Sequence, residues 1–131
     1  MKMQRFLICL ITSLTMNTTS YADSVTINEA DSGNLIEMSV GQTLILNLGS
    51  NPTTGYDWSY AGHSNSIITE QGKPAYTANQ IGKGLVGGGG IVRWTFLAIK
   101  PGSESLKLEY KRPWEKDIEP VRTVFYHVNI K

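Results

Sequence analysis

Four stretches of this chain alternate apolar and polar positions with a period of two, and nothing else in it constrains the fold as strongly. Leu44, Leu46 and Leu48 alternate with Thr43, Ile45 and Asn47, and Trp94, Phe96 and Ala98 with Arg93, Thr95 and Leu97. Leu106, Leu108 and Tyr110 alternate with Lys107 and Glu109, and Val124, Tyr126, Val128 and Ile130 form a last run. In extended backbone successive side chains point to opposite faces, so each run buries one face and wets the other. Weaker candidate strands lie at 25–27, 35–38, 56–60, 67–69 and 75–78, with turn signals such as Asp31-Ser32-Gly33 and Gln71-Gly72-Lys73-Pro74 between them. Short strands at this spacing, with no helical segment after residue 22, predict an all-β sandwich of seven to eight strands; a closed barrel is the alternative. Between two long runs, Lys100-Pro101-Gly102-Ser103 predicts a hairpin.

Residues 1–22 read as a signal peptide. Lys2 and Arg5 make a basic start, residues 6–14 are mostly apolar, and Ser20-Tyr21-Ala22 offers small residues at the two recognition positions of a cleavage site. The apolar run is too short to span a bilayer. Export is therefore expected, to the periplasm or as a secreted protein. The remaining 23–131 has the size of one domain, able to bury about two thirds of its unfolded surface without staples. Cys9, the single cysteine of the chain, leaves with the signal, which excludes disulfides, thiolate nucleophiles and zinc-thiolate sites. Of 12 basic and 11 acidic residues, processing removes Lys2 and Arg5 and leaves 10 against 11. No charge run points to nucleic acid or to a membrane surface. A monomer is expected.

Three loops stand out. In Asn51-Pro52-Thr53-Thr54-Gly55-Tyr56, Asn51 can bond amides just ahead, Pro52 fixes φ near −65° and Gly55 permits positive φ. The loop is stiff, with Thr53 and Thr54 at its tip. Alone it reads as an ordinary turn. Gly87-Gly88-Gly89-Gly90 lets backbone approach backbone, either flat against another protein's cleft or within a long flexible hairpin. In Arg112-Pro113-Trp114-Glu115, Pro113 interrupts pairing, so Trp114 is either an interface anchor or a ring folded over the rim of the core. Trp58 and Trp94, within strands, belong to the core or its edge.

Catalytic chemistry has little to work with. Gly82-Lys83-Gly84-Leu85-Val86-Gly87 has the spacing of a dinucleotide motif, but a β-patterned run follows where a helix is needed. His63 sits in a turn and His127 on a solvent face of the last strand. Ser59, His63 and Asp57 are too close in sequence to suggest a preorganised triad. No histidine–carboxylate spacing suggests a metal, and no cofactor is expected. The chain reads as a binding protein, not an enzyme.

Taken together and in this order, the three loops resemble those of the chagasin-like inhibitors of papain-type cysteine peptidases, whose pattern is N-P-T-T-G-[YF], G-x-G-G and R-P-W. Gly88 stands at the variable position of the second motif and lengthens the glycine run. The resemblance implies an immunoglobulin-like sandwich with the three loops at one end, and reversible, tight occlusion of the peptidase cleft. It implies that residues 51–56 enter over the catalytic Cys-His pair. Residues 87–90 would lie along the non-primed side, and Trp114 would pack on the primed side with Arg112 offering polar contacts. An exported immunoglobulin-like module that binds a glycan or a protein partner through the same loops is the alternative.

Overall fold

The structure is a computed structural model that describes residues 23–79 and 89–131. Among the described residues there are nine strands: β1 (Val25–Asn28), β2 (Leu35–Met38), β3 (Thr43–Ser50), β4 (Asp57–Tyr60), β5 (Ile68–Glu70), β6 (Ala75–Ala78), β7 (Gly90–Ala98), β8 (Gly102–Lys111) and β9 (Arg122–Ile130). They form two sheets, one ordered β1-β3-β7-β5 with β6 also on β7, the other β2-β9-β8-β4. The count exceeds the expected seven to eight because β5 and β6 share one edge position. β5 pairs with β7 from Ala98 to Phe96 and β6 pairs with it from Arg93 to Gly90. The turn between them, with Gly72 at φ 66°, breaks one lane into two strands.

Every inward position of the four alternating runs is buried, including Trp94, and Trp58 joins them from β4. Leu44, Leu46 and Leu48 of β3 face Leu106, Leu108 and Tyr126 of the other sheet within one apolar cluster. Each such side chain contributes about 1.5–3 kcal/mol of burial, so a one-residue slip of any strand would turn its whole set outward.

The expected hairpin at 100–103 is not one. β7 lies in the first sheet and β8 in the second, so this turn carries the chain across the sandwich. Both flanking runs bury a face against the same core, which packing them face to face satisfies as well as pairing them side by side. The true hairpins are β6–β7 and β8–β9. Two short 3-10 turns, Glu29–Asp31 and Pro52–Thr54, interrupt the all-β pattern.

Following the strands places the connections at two poles. Residues 29–34, 51–56 and 112–121 gather at one, with the end of β6 and the start of β7 beside them; residues 39–42, 61–67 and 99–101 gather at the other.

Candidate functional site

Strand register brings together the described residues of the three predicted loops. Ser50, the last residue of β3, pairs with Gly90, the first of β7, so residues 51–56 start beside the glycine run. Asp57, the first residue of β4, pairs with Lys111, the last of β8, so residues 51–56 end beside Arg112. The 51–56 loop crosses from one sheet to the other between the start of β7 and the end of β8. Gly87 and Gly88 lie outside the described residues.

The loop is stiffened from within, as its composition predicts. Asn51 Oδ1 accepts from the Thr53 amide at 3.2 Å and from the Thr53 hydroxyl at 2.6 Å, and the Thr54 hydroxyl donates to the Asn51 carbonyl at 2.7 Å. Pro52 occupies the first position of the 3-10 turn, where its missing N–H costs nothing. Gly55 ends the turn at φ 80°. Pro52, Thr53 and Thr54 are exposed, and both threonine hydroxyl protons are used inside the loop.

Trp114 does not cover the core. Its ring lies against residues 51–56: a Cβ added at Gly55 would stand 2.3 Å from Trp114 Cη2, while the side chain stays 66% exposed. Gly55 thus serves two needs at once, a left-handed backbone and room for an indole. Beside the ring runs a groove of about 640 Å³ with Pro52, Tyr76, Trp94 and Pro113 among its walls.

Arg112 is engaged within its own chain while its side chain stays partly exposed. Its Nε donates to the Thr54 carbonyl at 3.1 Å, its Nη1 meets Glu115 Oε1 at 3.1 Å, and its guanidinium lies 4.5 Å from the Tyr56 ring centroid. Pro113 and Trp114 therefore reach the surface on a loop already tied to residues 51–56. The described glycines are also claimed by their own chain. A Cβ at Gly90 would meet the Thr77 carbonyl at 2.2 Å and the Tyr76 ring at 2.8 Å, and one at Gly89 would meet the Ser50 carbonyl at 3.2 Å. Tyr110, which the alternation assigns only to the core, also reaches this pole, where its hydroxyl accepts from the Asn51 amide at 3.0 Å.

The residues weighed for catalysis are engaged elsewhere. Asp57 accepts from the Trp58 amide at 2.9 Å, the Ser59 hydroxyl donates to the Glu109 carbonyl at 3.4 Å, and His63 pairs with Glu104 at the other pole. His127 is exposed on β9, as expected, edge-on to Phe125. No group of three acidic, histidine or cysteine side chains among the described residues is placed to hold a metal ion.

A family model described as chagasin family peptidase inhibitor matches residues 37–128, a span that contains all three loops. The chain belongs to the chagasin family. Amoebiasin-2 of Entamoeba histolytica is 30% identical over 114 residues, covering 87% of this chain and 91% of that protein. Chagasin of Trypanosoma cruzi is 28% identical over 93 residues, covering 67% and 81%. The crystal structure of the cysteine protease inhibitor EhICP2 from Entamoeba histolytica superposes with a TM-score of 0.74 at 28% identity, over 82% of this chain and 96% of that one. The sandwich is the immunoglobulin-like fold of chagasin-family inhibitors, and membership makes the chain an inhibitor, not an enzyme.

Proposed function

We propose that this chagasin-family protein blocks papain-type cysteine peptidases by seating residues 51–56, 87–90 and 112–114 in the active-site cleft, with 51–56 and 112–114 already joined as one ridge. The observation that carries this is the mutual bracing of two loops 58 residues apart: Arg112 holds the Thr54 carbonyl and Trp114 lies on Gly55. A ridge already ordered loses little entropy on docking, and a convex ridge is the complement of a concave cleft. Three loops of this size bury roughly 800 Å² per partner, the usual scale of tight enzyme–inhibitor pairs.

Thr53 and Thr54, at the tip, meet the catalytic Cys-His pair. Their peptide bonds belong to a 3-10 turn closed by the Thr54 amide on the Asn51 carbonyl at 3.2 Å, not to an extended strand, which keeps them out of attack geometry. Residues 87–90 follow the non-primed side through backbone contacts, and the open face of Trp114 packs on the primed side. Titration of a papain-type peptidase with the protein is the test; no inhibition at micromolar concentration would overturn the reading. Residues 1–22 we assign as a signal peptide that directs export to the periplasm or the medium, on the basic start and apolar run alone. N-terminal sequencing of the protein from cell fractions checks it, and an uncleaved cytosolic chain would refute it.

A further inference from the structure

β1 stops at Asn28, opposite Asn47, whereas β3 runs on to Ser50. The last residues of β3 thus have β7 on one side and no strand on the other, and backbone groups there need partners. Side chains supply them at Gly49. Its amide donates to Glu29 Oε1 at 2.8 Å; its carbonyl accepts from Arg122 Nη2 at 2.6 Å and from Trp58 Nε1 at 2.9 Å. Arg122 Nη1 lies 3.2 Å from both carboxylate oxygens of Glu29. Glu29 in turn stands on a capped turn, where Asn28 and Asp31 bond each other's backbone. A Cβ at Gly49 would come within 3.1 Å of Glu29 Oε1, so a larger residue there would press the carboxylate back by a few tenths of an ångström.

From Arg122 the contacts continue into the loop. Its guanidinium lies 4.3 Å from the Tyr110 ring centroid; Tyr110 stacks on Tyr56 at 5.5 Å and accepts from the Asn51 amide; Arg112 lies over Tyr56. Gly49 and Asn51, the root of the loop, are therefore held by side chains from residues 29, 58, 110 and 122, none of which lies in the three loops.

We propose that Glu29 and Arg122 are positioning residues for inhibition: they fix the angle at which residues 51–56 leave the sheet, without touching the peptidase. Glu29 lies outside the segment the family model matches. The inference rests on the proposed inhibitory function, and its test separates the two. The variants are Arg122→Ala and Glu29→Gln, with Ile36→Val, a core trim toward the other pole, as a control for lost stability alone. Each is measured for inhibition constant, dissociation rate, melting temperature, and hydrogen exchange at the Gly49 and Asn51 amides. Arg122→Ala is expected to weaken inhibition about tenfold, mostly through faster dissociation, and Glu29→Gln about threefold. Ile36→Val is expected to stay within about twofold despite a lowered melting temperature. Faster exchange at Gly49 and Asn51 should accompany the first two variants and not the third. Folded Arg122→Ala and Glu29→Gln proteins that inhibit like wild type, or leave both amides unchanged, overturn the proposal. Should Arg122→Ala not fold, Glu29→Gln and Arg122→Lys are judged by the same criteria. If the wild-type protein inhibits no papain-type peptidase the functional reading falls, and the exchange data alone then decide whether the brace exists.

Discussion

Among the connections that carry the chain from one sheet to the other, residues 51–56 and 99–101 lie at opposite poles and are secured by different means. Residues 99–101 are exposed, and main chain holds main chain at their start. The Ile99 amide donates to the Ile67 carbonyl at 2.9 Å and the Ala98 amide to the Gln42 carbonyl at 3.0 Å. Residues 51–56 expose Pro52, Thr53 and Thr54 at their tip. Beyond the short bonds of its own turn, the loop is held by side chains: Asn51 within it, Tyr110 and Arg112 from outside. A turn bonded through its backbone tolerates many side chains. One held by particular side chains does not, which is why one pole carries a recognisable sequence pattern and the other does not.

The largest effect expected from breaking this asymmetry is on inhibition. Trp114→Ala should weaken it by about 2 kcal/mol or more, roughly thirty-fold, because half-open aromatic anchors dominate interfaces of this kind. Ile99→Ala, an exposed apolar side chain at the other pole, should leave the inhibition constant unchanged. Equal losses for the two would erase the distinction between the poles.

Glycine offers a sharper comparison. Gly55 and Gly41 have nearly the same backbone, φ 80° and 88°, but a Cβ at Gly41 meets nothing within 4 Å whereas one at Gly55 strikes Trp114. Gly41→Ala should cost about 1 kcal/mol of backbone strain and no inhibition. Gly55→Ala should cost at least that in thermal stability and also displace the indole, weakening inhibition about tenfold. Matching inhibition constants for the two variants would show that the indole need not rest on Gly55.

Next comes Tyr126, whose hydroxyl donates to the Asn28 carbonyl at 2.7 Å below the turn that carries Glu29. Burial, with Asp31 and Glu29 adding to it, holds this phenol well above its ordinary value of 10. A raised folded-state value means that the contribution to stability is fully present below pH 10 and is lost as the pH rises beyond it. Tyr126→Phe should lower stability by about 1 kcal/mol at pH 8 through the lost hydrogen bond. The gap to wild type should narrow as melts are taken from pH 9 to 11. A constant gap would rule out this phenol as a source of alkaline lability.

The smallest effect belongs to His63, half-exposed and paired with Glu104, which also accepts from the Ser66 hydroxyl and the Ile67 amide. His63→Ala should cost no more than about 1 kcal/mol by thermal melt and nothing in inhibition. Weaker inhibition in this variant would mean that the far pole communicates with the loops.

What sequence alone determined is local. A period of two is a property of a single extended strand, so Leu44, Phe96, Leu108 and Tyr126 could be placed inside before any pairing was known. The stiffness of residues 51–56 is likewise local, since Asn51, Pro52 and Gly55 act within three or four residues of themselves. Alternation names a buried face but not the strand beside it, and so residues 100–103 read as a hairpin until the sheets closed. Tertiary structure also decided that Arg112, Gly89 and Gly90 serve their own chain, and that Trp114 rests on Gly55. Glu29 and Arg122 left no local signal at all, because the bonds that define them join residues 20 to 93 apart and exist only once β1 ends short of β3 and β9 comes alongside.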